Sequence, residues 1–345
     1  MRPRHPMVHG RRARASQDRL PWTAAILLVL TASVLSGVAG SFAYFLPAAV
    51  LAFQATGQSA DVRSTLSPAI GNPSGRPSPS PPPDPGGAFT VLLLGSDDDD
   101  KFYAEHVLTQ SMILVRVDPK AKQVTMLSIP RDLYVPLSVG GSGKIDGAYS
   151  YGGAGAAVAT VQNNFRIHVD EWCWIGLKGL IKLIDEIGGI DLVTTHTVLD
   201  DFYPADVGEG DPYGYERVAV LPGPQHLDGT HALQYVRSRH DDLRSDFGRS
   251  ERQQQVLLAL RAKARMLGPA DIPWLAQLLA GEVKTSMSVS RIIGLLPVAG
   301  SITDPAAVRQ IVLGPPYTHG GSVDGQSAVI PDWGQILPLV HQYFP

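Results

Sequence analysis

The stretch MILVRVDPKAKQVTMLSIPRD, residues 112–132, decides the fold class. MILVRVD (112–118) and QVTMLSIP (123–130) are short runs rich in Val, Ile and Leu, joined by the polar link PKAK. That pattern predicts two strands paired as a hairpin. Pro130 cannot donate to a ladder and ends the second strand. Arg131 is thereby left at a strand's carboxyl end, beyond which ligands sit in open α/β sheets. The alternative for Arg131 is a salt bridge to Asp132 or another acid.

Working outward, FTVLLLG (89–95) reads as a buried strand ending in glycine. In WIGLKGLIKLIDEIGG, Leu177, Leu180, Ile181, Ile184 and Ile187 fall at helical spacing, and Gly188–Gly189 stop the helix. IDLVT (190–194) returns as a strand. Asp228 can cap a short helix ending near Val236. A longer helix is expected over about 249–267, with Val256, Leu260 and Leu267 on one face and Gly268–Pro269 ending it. VRQIVLG (308–314) is a late strand, and DWGQILPLVHQYF a closing helix interrupted by Pro338. Strands mixed with helices on both sides predict an α/β fold, a three-layer α-β-α domain around a central mixed sheet. Residues 268–345 carry no interpretable motif and are read as completing that sheet.

Upstream the composition changes twice. Residues 1–19 hold six arginines, and no charge occurs among the 34 residues from Leu20 to Phe53. Such a run exceeds the roughly 20 apolar residues a helix needs to span a membrane, and the basic flank should stay in the cytoplasm. The expected organisation is a basic cytoplasmic tail (1–19), a transmembrane signal-anchor (20–53), a Pro/Ser/Gly-rich spacer (54–88) and one extracytoplasmic domain (89–345). The chain would then sit in the cell membrane as a single-pass protein. Residues 89–345 hold 21 Lys and Arg against 29 Asp and Glu. An acidic globular part argues against nucleic acid as a partner. The single cysteine, Cys173, excludes an intrachain disulfide and reads as a small buried hydrophobe.

Against that acidic background, YVRSRHDDLRSDFGRSERQQ (235–254) gathers five arginines. Beyond a helix ending at Val236, Arg237 and Arg239 would lie in extended chain on one side. Arg249, Arg252 and Gln253 share a face of the next helix, whose N-terminus after DFG adds positive partial charge. Converging arginines repel, so they suit an external anion such as phosphate; pairing with Asp241, Asp242, Asp246 and Glu251 is the alternative. Asp97 to Asp100 follow the first strand and are either oxygen ligands for Mg²⁺ or a solvated acidic loop. No GxxxxGK phosphate loop is present, which speaks against a nucleotide-driven kinase.

The motifs VLLLGSD, SMILVRVDPKAKQVTMLSIPRD, KIDGAYSYGG, IGLKGLIKLIDEIGGIDLV, LPGPQHLDGTHALQYVRSR and DFGRSERQQQVL, in that order, resemble the LytR-CpsA-Psr family. The resemblance implies a membrane-anchored, Mg²⁺-dependent phosphotransferase. It would move a glycan-1-phosphate from a polyprenyl diphosphate carrier to a peptidoglycan hydroxyl. By matching motifs, Asp97 would bind Mg²⁺ or help activate the acceptor, Arg131 would act at the reacting phosphate, and Arg131, Arg237, Arg239, Arg249 and Gln253 would hold the diphosphate. The lipid would lie in an apolar tunnel between sheet and helices. One departure stands out: where the family usually shows Arg-Ser-Asp-Thr, this chain has Leu108, Thr109, Gln110 and Ser111, losing an arginine contact and a carboxylate. It leaves room for two other readings, a non-catalytic polyprenyl-diphosphate-binding scaffold and a diphosphate hydrolase. Asp146, where asparagine is common, is read as a minor change.

Overall fold

The computed structural model describes residues 87–96, 107–207, 214–239, 245–268, 270–302 and 304–345. The expected tail, anchor and most of the spacer lie outside these residues, as do Asp97 to Asp100 and His240. Among the described residues no helix is long and apolar enough to cross a membrane.

The hairpin at 112–132 forms as its sequence predicts. Strands β2 (Thr109–Asp118) and β3 (Gln123–Ile129) pair antiparallel from Met112↔Ile129 to Asp118↔Gln123. Strand β1 (Phe89–Ser96) lies antiparallel on the other side of β2, with Leu92 opposite Leu114. Two short strands, β4 (Tyr134–Pro136) and β5 (Ser142–Lys144), pair off the end of β3. Helix α1 (Gly147–Phe165) then leads to β6 (Glu171–Ile175), which runs parallel to β1. The tail segment adds both rims. β11 (Val283–Thr285) pairs with β6, and β12 (Val308–Val312) runs parallel to β3, giving a mixed sheet of order β11-β6-β1-β2-β3-β12.

Alternation along the strands sends Leu92, Leu94, Met112, Leu114, Leu127 and Ile129 to one face. There they pack with Ala157, Val161 and Phe165 of α1 and with Ile336, Val340 and Phe344. The last three belong to α7 (Trp333–Tyr343) or its cap, and that helix runs through Pro338 rather than breaking. A single missing N–H weakens a helix without severing it when a buried face holds both halves.

Opposite the other sheet face stand α2 (Leu177–Glu186), α3 (Gly229–Arg237) and α4 (Ser245–Ala264). Gly188 and Gly189, both at φ 75°, end the turn after α2 as expected. Asp228 caps α3, accepting from the His231 N–H at 2.8 Å. Strand β7 (Ile190–Thr194) forms, but it pairs with β10 (Gly223–Leu227) in a separate ribbon. A second ribbon joins β8 (Val198–Pro204) to β9 (Tyr215–Val220). Ile184, Ile190, Val198, Tyr203, Leu227, Leu233 and Val256 tie these elements into a second core. The C-terminal region also holds α5 (Ile272–Leu278), α6 (Val289–Ser301) and the hairpin of β13 (Thr318–Val323) with β14 (Gln326–Pro331).

Two expectations are corrected. The helix expected after DFG begins at Ser245, so residues 246–248 lie in its first turn. One internal glycine, Gly248, costs only about 1 kcal/mol and does not stop a helix. Arg237 is the last residue of α3 rather than extended chain; the break comes at Ser238, with φ −54° and ψ 139°.

Candidate functional site

Between the sheet and α2, α3 and α4 lies a cavity of about 600 Å³. Its body is apolar: Leu93 and Ile113 from the sheet, Leu180 and Leu183 from α2, Leu233 and Val236 from α3, and Val256 and Leu260 from α4. The α2 stripe therefore divides its work, with Ile184 fully buried in the core and its neighbours Leu180 and Leu183 lining open space. Cys173 lines the same space, where burial pushes its thiol up to about 11.

Polar groups join the lining: Ser96, Gln110, Asp200, Arg237, Arg239, Arg249 and Gln253. Four of the five expected diphosphate ligands are thus brought together by two devices. The chain break at Ser238 puts Arg237 and Arg239 on the cavity, and one turn of α4 carries Arg249 and Gln253 to it. Arg131 is not part of the lining. It reaches the cavity through Gln110, whose amide oxygen accepts from Arg131 Nη1. Its Nε stands 3.5 Å from Asp132 Oδ2, and Lys144 Nζ pairs with Asp132 Oδ1 at 2.8 Å. Burial works to raise the pKa of Asp132, but the Lys144 hydrogen bond and the charges of Arg131, Lys144 and Arg239 outweigh it, holding the carboxyl below its ordinary value.

Arg237 already has a partner. Its Nη1 and Nη2 donate to the two carboxylate oxygens of Asp206 at 2.5 and 2.9 Å, and its guanidinium lies 5.7 Å from the centre of the Tyr203 ring. Burial works against the arginine's charge, yet the hydrogen bonds and charges of Asp206 and Tyr203 together outweigh it and push the pKa up. The pairing alternative is met for Arg237, though by Asp206 rather than by the acids next to it in sequence, and that carboxylate orients the fork at the cavity.

Several supporting residues were given no part in the site by the sequence. Arg252, 6 % exposed, donates from Nε to the Tyr235 carbonyl at 2.7 Å and from Nη2 to the Ser238 carbonyl at 2.6 Å. It thereby satisfies carbonyls that the end of α3 leaves open and fixes the chain carrying Arg237 and Arg239. Asp200 accepts the Arg239 N–H at 2.9 Å. Gln254 binds Ser128 Oγ and the Ile311 carbonyl at 2.8 and 2.9 Å, anchoring α4 to β3 and β12. Asp146, read as minor, is 6 % exposed; its backbone N–H donates to the Arg131 carbonyl at 3.1 Å. Burial pushes its carboxyl up to about 6 against the opposing charge of Arg131. The inward place of Asp200 in the alternating run VLD was a legible signal; the others depend on partners distant in sequence.

The described residues do not by themselves provide a metal site. No group of three or more His, Cys, Asp or Glu side chains among them could hold an ion, the Gln110 amide oxygen is engaged by Arg131, and Asp97 lies outside the described residues. Among the described histidines, His226 and His231 pair with Asp191 and Asp228 at 2.7 Å, off the cavity lining.

An apolar cavity with converging guanidinium groups suits an amphiphile with an anionic head. The LytR_cpsA_psr family model matches residues 53–323, and the chain belongs to that family. It is 34 % identical over 222 residues to the Bacillus subtilis polyisoprenyl-teichoic acid–peptidoglycan teichoic acid transferase TagV, covering 62 % of this chain and 54 % of that protein. With the Streptococcus mutans biofilm regulatory protein A it shares 38 % identity over 178 residues, 49 % of this chain and 42 % of the relative. The chain thus spans about half the length of these curated relatives. The crystal structure of B. subtilis TagV superposes with a TM-score of 0.61 at 28 % identity, covering 75 % of this chain and 96 % of that one. A structure of TagT bound to LIIa-WTA gives 0.61 at 28 % identity, over 76 % and 91 %.

Proposed function

We propose that this chain is a membrane-anchored transferase that moves a glycan-1-phosphate from a polyprenyl diphosphate to a hydroxyl of peptidoglycan. The observation that carries the reading is the cavity: leucine-lined space of about 600 Å³ that shares its lining with Arg237, Arg239, Arg249 and Gln253. The names of the relatives support it, since TagV is described as joining a polyisoprenyl-linked teichoic acid to peptidoglycan. In this reading residues 20–53 anchor the chain in the cell membrane and residues 89–345 work outside it.

Phosphoryl transfer asks mainly for positioning and charge neutralisation. The arginines would hold the two phosphates while the prenyl chain fills the apolar space. The acceptor hydroxyl oxygen bonds to the phosphorus bearing the glycan and loses its proton to solvent, the bond from that phosphorus to the bridging oxygen breaks, and prenyl phosphate leaves with the bond's electron pair. Asp97 is the proposed Mg²⁺ ligand, with Asp98 to Asp100 following it in sequence, and the ion would neutralise charge on the diphosphate.

The test incubates the full chain with a polyprenyl-diphosphate oligosaccharide and peptidoglycan fragments, with and without Mg²⁺. Mass spectrometry follows released polyprenyl phosphate and glycan phosphate joined to the acceptor. Metal-dependent formation of both, abolished by Arg131→Ala or Arg237→Ala, is expected. Full activity in both variants would overturn the assignment, and release without acceptor modification would point to hydrolysis. One observation favours a non-catalytic binder as second reading: the position that lacks a carboxylate, Gln110, is occupied in holding Arg131. Large gains in turnover from Gln110→Asp combined with Leu108→Arg would favour that reading.

A further inference from the structure

Strand β8 breaks its own alternation. Val198 points in, Leu199 out and Asp200 in, but Asp201 and Phe202 both point out before Tyr203 returns inward. Pairing with β9 slips between Asp200 and Tyr203, the mark of a bulge. Bulges re-aim side chains, and the buried Asp200 shows how this one is held. Its carboxylate accepts the Phe202 N–H at 3.0 Å and the Arg239 N–H at 2.9 Å. A buried carboxylate requires such donors, so one side chain ties the bulge to the backbone of a cavity arginine.

The bulge has two visible results. Tyr203 turns inward beneath Arg237. Phe202 turns outward beside Tyr215 of β9, ring centres 6.2 Å apart and planes at 80°. These rings are 58 % and 67 % exposed, yet both belong to the lining of the arginine-bearing cavity. Large aromatic rings left exposed next to a binding cavity mark a contact surface. The residues next to them on the ribbon are engaged in polar pairs: Arg217 Nε donates to Asp201 at 2.6 Å, and Gln234 Nε2 to Glu216 at 2.8 Å. A lipid chain or bilayer would demand an apolar rim. A pyranose presents weakly positive C–H bonds on one face, matching the negative face of an aromatic ring, and its hydroxyls need the donors and acceptors found here.

We propose that Phe202 and Tyr215 form a stacking platform for a sugar ring, a glycan subsite set beside the arginines by the Asp200 bulge. The inference rests on the reading of the cavity as a prenyl-diphosphate site and adds where the first sugar sits. Phe202 and Tyr215 share one cavity lining with Arg237 and Arg239, the placement required of a sugar esterified to the bound diphosphate.

The test measures binding to the full chain of geranylgeranyl diphosphate and of the same lipid carrying one glucopyranosyl residue on its terminal phosphate. Phe202→Ala, Tyr215→Ala and Phe202→Leu are compared with the parent. Each should weaken the sugar-bearing ligand about tenfold and change the sugar-free ligand less than about twofold. Phe202→Leu keeps apolar bulk without an aromatic face, so parent-like binding of the sugar-bearing ligand by that variant would overturn the platform. Equal loss of both ligands in the alanine variants would overturn it too and assign the rings to the lipid, leaving the diphosphate reading intact. A parent chain that binds neither ligand would overturn both.

Discussion

Replacing Asp146 with asparagine should stabilise the chain above about pH 6 and leave it almost unchanged near pH 4. The carboxyl is 6 % exposed. Burial pushes it from 3.8 to about 6; Arg131, Lys144 and the Gly147 N–H oppose the rise, while Asp132 adds repulsion. The folded state therefore keeps a proton that the unfolded chain has released once the pH passes 3.8. Stability falls as pH rises from there to about 6, then stays at the lower level. The difference corresponds to about 3 kcal/mol. Asparagine has nearly the same shape and no charge to desolvate. Urea denaturation of parent and variant in parallel from pH 4 to 8 should show a gap that opens from near zero to about 2–3 kcal/mol. A gap independent of pH would refute the reasoning. A parent more stable than the variant above pH 6 would show that Arg131 and Lys144 do more for the charge than burial does against it.

Arg252→Ala should cost about 3–5 kcal/mol in the same denaturation assay, because it removes two charge-assisted hydrogen bonds to buried carbonyls. Asp206→Ala strips the partly buried Arg237 of its carboxylate; we expect a loss of about 3 kcal/mol together with tighter binding of inorganic pyrophosphate by calorimetry. The Cys173 thiol, pushed up to about 11, should alkylate roughly a hundredfold more slowly at pH 7 than an exposed thiol. Geranylgeranyl diphosphate should slow it further, and unchanged labelling with the lipid present would exclude Cys173 from the occupied space.

What could be read from the chain was local. The β2–β3 hairpin, the glycine stop after α2 and the Asp228 cap each depend on neighbours within a few residues, and each forms. Where tertiary packing overrides a local breaker the reading fails, as at Pro338 within α7. The arginines and Gln253 were visible as a cluster because two short segments carry them. Most of their supports were not: Gln254 meets Ser128 across 126 positions, and Arg237 meets Asp206 across 31. Asp146 looked minor because its significance lies in burial beside Arg131, a property of the fold rather than of the motif.

The strand order has a consequence for how the chain can be made. Its two outermost strands, β11 and β12, are drawn from residues after 280, while the four between them are complete by Ile175. During synthesis β6 and β3 therefore wait with open hydrogen-bonding edges, the kind of edge that recruits foreign strands. A nascent chain, or a fragment cut in α5, would carry both edges bare. Loss of the last 63 residues, from Val283 onward, should thus produce aggregation rather than a smaller active protein.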